Sequence, residues 1–306
     1  MALLALNTRR GTRSGAPRTR RGWRVTPWLF LLVPLVLLIT FTYLPVVNMI
    51  SYSFTSWDGL DPEMKNVGWD NYVRIFTRPE ILRVFLVSTY YLAGAILQLV
   101  LALYFAVILS FSTRFRNFFK GILFFPYLVN GVAIGIAFLF FFRPDGTLDV
   151  LLGILGFTDT PLWLGDREVA NYSLAATSVW RYMGLNFVLF LGAIQSIPEE
   201  IYEAADLDGA TGWHKVRHII VPAISQIIGL SLILAISGAL SVFEIPFIMT
   251  GGANGTETFV IKTVDTAFKF RKFGLGSAMA VVLLLFVVII SVVQKKLFPE
   301  EKGDLV

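Results

Sequence analysis

Few side chains in this sequence could do chemistry, and their spacing limits what kind. There are two histidines and no cysteine. His214 and His218 stand one helical turn apart, a spacing that could hold a metal ion. No carboxylate motif frames them, and Lys215 and Arg217 lie between them, so a solvated helix face is the better reading. Without cysteine, disulfides and thiolate metal sites are excluded. No Ser/His/Asp set and no carboxylate pair is spaced for hydrolysis, and neither histidine falls in an apolar run. No Gly-Lys dipeptide occurs, so there is no Walker-type phosphate loop and the chain cannot by itself be an ATP-hydrolysing engine.

What remains is polar side chains set inside long apolar stretches, where each is unfavourable unless it faces protein or water. Three groups stand out. Tyr91, Gly94 and Gln98 share one helical face. Trp180, Tyr182 and Asn186 form a second group, with Tyr182 and Asn186 one turn apart. Ser237, Ser241 and Glu244 share a third face. Hydroxyls, amides, a carboxylate and aromatic rings suit a sugar, which needs hydrogen bonds to its hydroxyls and stacking on its C–H faces. The same residues could simply join helices to one another, and the residue types leave both readings open. Arg181 is expected to snorkel or to be paired, not to act as a ligand. Glu244 follows Ile220 by 24 residues. On one straight helix that is roughly 36 Å, which would put it near an outer mouth.

The elements that position these groups follow from composition. The chain has 306 residues, 56% apolar and 15% charged, with mean hydropathy +0.69. A soluble domain of this length carries far more charge. The apolar residues fall in blocks of about 20, the length that crosses a bilayer. Six spans are predicted, near 28–50, 81–111, 122–142, 169–194, 223–249 and 275–293. The fold class is all-α, a polytopic membrane protein. The net charge of +5 does not point to nucleic acid, because its arginines crowd in front of the first apolar run (Arg9, Arg10, Arg13, Arg18, Arg20, Arg21, Arg24). Such a segment favours anionic lipid and cytoplasmic retention. No small-residue cleavage site follows, so the first apolar run is expected to be a retained helix.

Between the fourth and fifth runs lies the longest polar interruption of the second half, Ser196–Pro222. Ser196 is placed to cap a helix with Glu199 as its capping-box partner, and Pro198 fits the first turn. Glu199 and Glu200 lie at the positive end of the helix dipole. Gly209 stops the helix, Thr211 can cap a second, basic helix, and Pro222 marks the next boundary. Glu203 has no cation one turn away on its own helix. Its charge is expected to meet a partner outside the chain.

This stretch resembles the EAA loop of membrane subunits in bacterial binding-protein-dependent ABC importers. Glu203-Ala204-Ala205, three residues, Gly209, nine residues, then Ile219-x-Val221-Pro222 matches that family's spacing throughout, with Val221 in place of leucine. Asp208-Gly209-Ala210 resembles the version found in carbohydrate-uptake permeases of the maltose and glycerol-phosphate type. Gly68 with Trp69-Asp70-Asn71-Tyr72 resembles a G-x-x-N-Y stretch common after the first helix of sugar permeases. The alternative is a plain amphipathic hairpin on the membrane surface.

The resemblance implies a type I ABC importer permease fold with six transmembrane helices. It implies a second homologous permease, two ATP-binding subunits, an external solute-binding protein, membrane lipid and a sugar substrate as partners. ATP and magnesium would sit on the ATPase subunits, with no cofactor bound by this chain. The ATPase-coupling residues would be Glu203, Ala204, Ala205, Asp208, Gly209, Ala210 and Pro222. Transport would proceed by alternating access.

The organisation expected is a basic tail over 1–26, a first transmembrane helix and external loop over 27–80, a core over 81–298 that contains the hairpin 196–222, and a tail over 299–306. The basic residues Arg114, Arg116, Lys120, Lys295 and Lys296 join the N-terminal cluster on one side. Both termini are therefore expected in the cytoplasm of a bacterial plasma membrane. Lys262, Lys269, Arg271 and Lys272 would face outward, against that trend. A stand-alone secondary transporter or channel is the rival class. It predicts charge relays or inverted repeats within the spans, and few ionisable residues lie there.

Overall fold

The computed structural model describes residues 25–111 and 116–297. The arginine-rich residues before Val25, residues 112–115 with Arg114, and the residues after Leu297 lie outside the described residues. The chain divides into two compact units, residues 1–48 and 49–306. The first holds α1 (Val25–Leu38) and a π-helical turn (Ile39–Tyr43), with large apolar side chains exposed all along it. Helix α2 (Leu44–Ser53) continues the run.

Every regular element among the described residues is helical, apart from an isolated bridge between Thr55 and Asn66. After α3 (Asp70–Thr77) comes the long α4 (Pro79–Ser110). Proline opens α4 at its first turn, where no backbone N–H is needed. Helices α5 (Arg116–Leu128) and α6 (Gly131–Phe141) follow, then the short α7 (Thr147–Ile154) and the spanning α8 (Ala170–Gln195). The polar hairpin consists of α9 (Glu199–Leu207), α10 (Gly212–Lys215), a π turn (Val216–Ile220) and α11 (Val221–Ala223). The chain ends in α12 (Ser225–Leu240), α13 (Glu244–Thr250), α14 (Phe259–Val264) and α15 (Phe273–Leu297).

Five helices are long and apolar enough to cross a membrane. The predicted third span is different. It is two helices, α5 and α6, set at 98° to one another. The reason lies in its sequence. Pro126 removes a backbone donor inside α5. Asn130 then caps a fresh helix, its side chain accepting from the Val132 N–H at 2.8 Å. The fifth span is also interrupted: α12 stops at Leu240 and α13 restarts at Glu244.

The interior forms in layers along α4. Near one end Leu99, Ala102 and Ala106 of α4 pack with Phe187, Phe190 and Ile194 of α8. At mid-length Tyr91 and Ala95 meet Leu174, Ala239 and Ile245. At the other end Ile81 and Val84 meet Phe259, Leu275 and Met279. On that side the loop after α6 is pinned by Asp149, which accepts from the Trp163 indole N–H at 2.7 Å and from the Asp145 N–H at 2.9 Å. The Trp163 bond, joined by the Asp145 N–H, holds the Asp149 carboxyl below the usual carboxylate range.

Helix α8 holds the assembly together because small residues let its neighbours come close. A side chain at Gly184 would collide with the Leu123 carbonyl of α5, whereas a side chain at Gly192 would meet nothing within 4 Å. Gly184→Leu should therefore destabilise the chain by about 1–3 kcal/mol, as overpacking does. Gly192→Leu should not. Thermal midpoints of the two purified variants in detergent check this, and equal midpoints would contradict the α5–α8 contact.

Candidate functional site

Two places in the fold gather the polar residues singled out by sequence. The first is the hairpin. Ser196 does not cap it. Its backbone is helical, it ends α8, and its hydroxyl donates to the Ala193 carbonyl at 2.8 Å. Pro198 takes the N-cap position of α9 without a side-chain cap, because the chain needs two residues to leave α8. Glu199 and Glu200 occupy the first turn of α9 as expected. Gly209 adopts φ +75°, a left-handed conformation in which other residues are strained. The Ala210 N–H closes the turn on the Ala205 carbonyl at 2.9 Å.

Thr211 stands at the N-cap position of α10, but its hydroxyl pairs with His214 Nδ1 at 2.6 Å instead of capping a backbone N–H. His218 Nδ1 approaches the His214 carbonyl at 3.2 Å. Across the hairpin, the Lys215 ammonium bridges to Asp206 of α9 and clasps the two arms. The inner side is rooted: Ile220 and Ile224 are buried among Leu99, Phe187 and Ile194, with Ile197, Tyr202 and Val216 packed around them. Burial pushes the Tyr202 phenol up. Ala205 faces this interior, while Glu203, Ala204, Asp208 and Gly209 are exposed. Ala210 is half-buried and Pro222 exposed. Leu207 is 90% and Trp213 68% exposed at the tip. Glu203 has no ion-pair or hydrogen-bond partner among the described residues.

The second place is where the two helix breaks meet α8. Glu244 Oε2 accepts from Arg181 Nη1 at 2.6 Å, with the side chains 40% and 13% exposed respectively. A side chain at Gly131 would collide with both groups, so the first turn of α6 stands directly against the pair. The positive end of α6 thus favours the carboxylate. The Arg181 guanidinium also lies 5.0 Å from the centre of the Tyr182 ring.

Arg181 falls close to the middle of the 26-residue α8. Glu244, in the first turn of α13, thus reaches toward the middle of α8 from the last turns of the 225–250 run. The chain breaks after Ile224 and again at Ser241–Phe243, so that run is not one straight helix. For the same reason Ser237 and Ser241 do not share one continuous face with Glu244. Ser237 lies in the last turn of α12 and Ser241 caps it, its N–H bonding the Ser237 carbonyl at 3.1 Å.

The other candidates are dispersed. Tyr91 is 3% exposed, and its hydroxyl has no partner among the described residues. Gln98 is buried on the same helix, one packing layer away. Asn186 is buried and donates within its own helix to the Tyr182 carbonyl at 3.3 Å, as a residue that only joins helices would. Trp180 meets Phe138 of α6 with ring centres 5.1 Å apart in a tilted arrangement and lines an open, largely apolar groove with Phe118, Ile122, Phe125 and Pro126 of α5. Thus Arg181, Tyr182 and Glu244 come together, and Tyr91, Gln98, Asn186 and Trp180 do not join them. Sequence reasoning missed Gly131 and the Arg181–Glu244 pairing. Asn130-Gly131 after Pro126, and Glu244 before Pro246, were the available signals of restarted helices.

Comparison with known proteins sorts these features. A family model described as the inner membrane component of binding-protein-dependent transport systems matches residues 98–302. The chain belongs to that family. The matched region contains the hairpin, both helix breaks and α8. A probable ABC transporter permease protein, YurN of Bacillus subtilis, is 31% identical over 92% of this chain and 98% of its own. A permease protein of the multiple sugar-binding transport system, MsmF of Streptococcus mutans, is 32% identical over 88% of this chain and 94% of its own. Among solved structures, a bacterial alginate ABC transporter in complex with an alginate pentasaccharide-bound periplasmic protein has a chain that superposes with TM-score 0.79. It shares 19% identity and covers 89% of this chain and 93% of that one. The fold is that of ABC importer permeases.

The Arg181–Glu244 pair can be tested by itself. Removing either partner leaves a partly buried charge unmatched, whereas removing both does not. Arg181→Met and Glu244→Gln should each lower the thermal midpoint, and the double variant should lose less than the sum of the two single losses, with a coupling on the order of 0.5–3 kcal/mol. Strictly additive losses would show that the two side chains do not interact in the membrane-embedded protein.

Proposed function

We propose that this chain is the permease subunit of an ATP-driven importer that moves a sugar across the bacterial plasma membrane. Family membership supports the transport role, and relatives that carry sugar transport in their names support the substrate class. The observation that carries the mechanism is the hairpin: a clasped, rooted pair of helices that presents Glu203, Leu207 and Trp213 outward with no partner of its own. Two ATP-binding subunits on the cytoplasmic side would take that surface, and ATP and magnesium would be bound there and not by this chain. A second, related permease would complete the pathway. An external solute-binding protein would deliver the substrate. ATP-driven closure of the ATPase pair moves the hairpin, and the hairpin moves α8 and α12 through Ile220 and Ile224.

The substrate path is assigned to the junction of the two helix breaks. There Glu244 can accept from sugar hydroxyls, and Tyr182 offers an aromatic face and a hydroxyl. Tyr91, Gln98, Trp180, Asn186, Ser237 and Ser241 are assigned supporting positions around it. Both termini and the hairpin are placed on the cytoplasmic side. A Cys introduced at Gly11 should resist an impermeant thiol reagent applied outside intact cells, and labelling from outside would reverse the orientation.

The coupling role has its own test. Truncating one member of a hydrogen-bonded charge pair at an interface costs about 2–5 kcal/mol. Glu203→Ala should leave the permease inserted but weaken co-purification of the ATPase. Gly209→Val, which forces a β-branched residue into φ +75°, should do the same. Both should depress ATP hydrolysis stimulated by the binding protein in proteoliposomes. Wild-type docking and hydrolysis in Glu203→Ala would return the hairpin to a purely structural role. A wild-type permease that co-purifies with no ATPase at all would instead favour a stand-alone secondary transporter, which needs no such dock.

A further inference from the structure

Helix α3 is amphipathic in the reverse sense to a water-facing surface helix. Its inner face carries Asn71 and Ile75, 2% and 0% exposed. Asn71 Nδ2 donates to the Ser53 and Thr55 carbonyls, each at 2.8 Å, and the Tyr72 hydroxyl bonds the Ser53 hydroxyl at 2.7 Å. These polar bonds tie α3 to the end of α2. Its outer face carries Trp69, Val73 and Phe76, which are 68%, 57% and 53% exposed. Their spacing of i, i+4 and i+7 makes one continuous stripe. A helix against water turns such a stripe inward. This one spends its polar contacts on the protein and presents its apolar stripe outward.

The chain itself says what lies outside. Eight residues span roughly 12 Å, too short to cross a bilayer. Only Arg78, in an extended conformation, separates α3 from α4. The 32 residues of α4 reach roughly 48 Å, close to the 40–45 Å of a bilayer with its headgroups. The start of α4, and α3 with it, therefore falls at headgroup depth. The side chains fit that depth. Trp69 and Tyr72 lie 5.1 Å apart, and Phe54 meets Trp69 at 5.2 Å, an aromatic group of the kind that marks membrane interfaces. Arg74 and Arg78 flank the stripe, both exposed, where phosphates can reach them.

We propose that α3 is an interfacial helix lying in the lipid headgroup layer where α4 enters the membrane, with Trp69, Val73 and Phe76 against lipid. In the orientation proposed above this is the outer leaflet. Latched by Asn71 and Tyr72, α3 fixes the depth of α4.

The chain has no cysteine, so single-site spin labels need no background removal. Val73→Cys, Phe76→Cys and Arg74→Cys in the full-length permease are labelled with a nitroxide. Each is placed in nanodiscs of phosphatidylethanolamine and phosphatidylglycerol. Power saturation then compares collision with oxygen, which concentrates in lipid, and with a water-soluble nickel chelate. Oxygen should exceed nickel several-fold at positions 73 and 76, and the ratio should fall at 74, which is exposed but lies off the stripe. Either stripe variant suffices if the other misfolds. Nickel-dominated collision at 73 and 76 would place the stripe in water and overturn the proposal. Low collision with both agents would show a protein covering the stripe, such as a docked partner, and would overturn it equally.

Discussion

Inside a bilayer every backbone N–H and C=O must find a partner within the protein, because the hydrocarbon offers none. The rest of this fold depends on that constraint. It makes the spans helical, and it makes any interruption of a helix a place that protein must enclose. The chain interrupts two of its apolar runs, between α5 and α6 and between α12 and α13. Both interruptions come to the same place, against the middle of α8. There the Asn130 side chain satisfies the Val132 N–H, Gly131 leaves room, and the Arg181–Glu244 pair crosses from α8 to the start of α13. Two charges within apolar runs are tolerable because each neutralises the other and a helix N-terminus adds to the balance. A net-neutral but strongly polar junction, open on the carboxylate side, suits a ligand with many hydroxyls better than it suits an ion.

The hairpin depends on the same packed core. Its tip is exposed and its root is not. Ile220 and Ile224 sit in the cluster that joins α4 to α8, while the Asp206–Lys215 bridge and the closed turn at Gly209 keep the two arms in register. A displacement of the tip is therefore delivered to α8, because a close-packed interior transmits strain instead of absorbing it. The layer that receives it, at Phe187 and Phe190, lies about two helical turns from Arg181. The hairpin at the end of α8 and the polar junction at its middle are thus joined by one stiff helix. This is the geometry expected if events at the cytoplasmic surface are to open and close a path in the membrane.

Much of this was legible in the sequence. The helices over 79–110, 170–195, 225–250 and 273–296 begin and end within a few residues of the predicted spans, because hydropathy changes abruptly at Pro79, Ser110, Gln195 and Lys295. The hairpin was legible because glycine and proline mark its turns. The helix breaks were not, since Asn130-Gly131 and Phe243-Glu244 are short interruptions that a bilayer-length window averages away. The pairing of Glu244 with Arg181 was lost with them, as a straight helix was assumed where the chain restarts. The capping role expected of Ser196 was lost to a competing use: its hydroxyl serves the end of α8 before α9 begins.

Helix α3 shows why pattern alone stops short. Its periodicity announces an amphipathic helix, but which face turns inward depends on the medium outside, and periodicity carries no information about that. In water the stripe of Trp69, Val73 and Phe76 would be driven into the core, and Asn71 would be left to solvent. Here Asn71 is more useful inside, because the end of α2 leaves the carbonyls of Ser53 and Thr55 to be satisfied at the edge of the bilayer. One amide answers both, and the apolar stripe is then free to face whatever is not water. The same accounting of backbone groups that gathers the helix breaks around Arg181 and Glu244 thus also turns α3 around, at the boundary where the hydrocarbon ends.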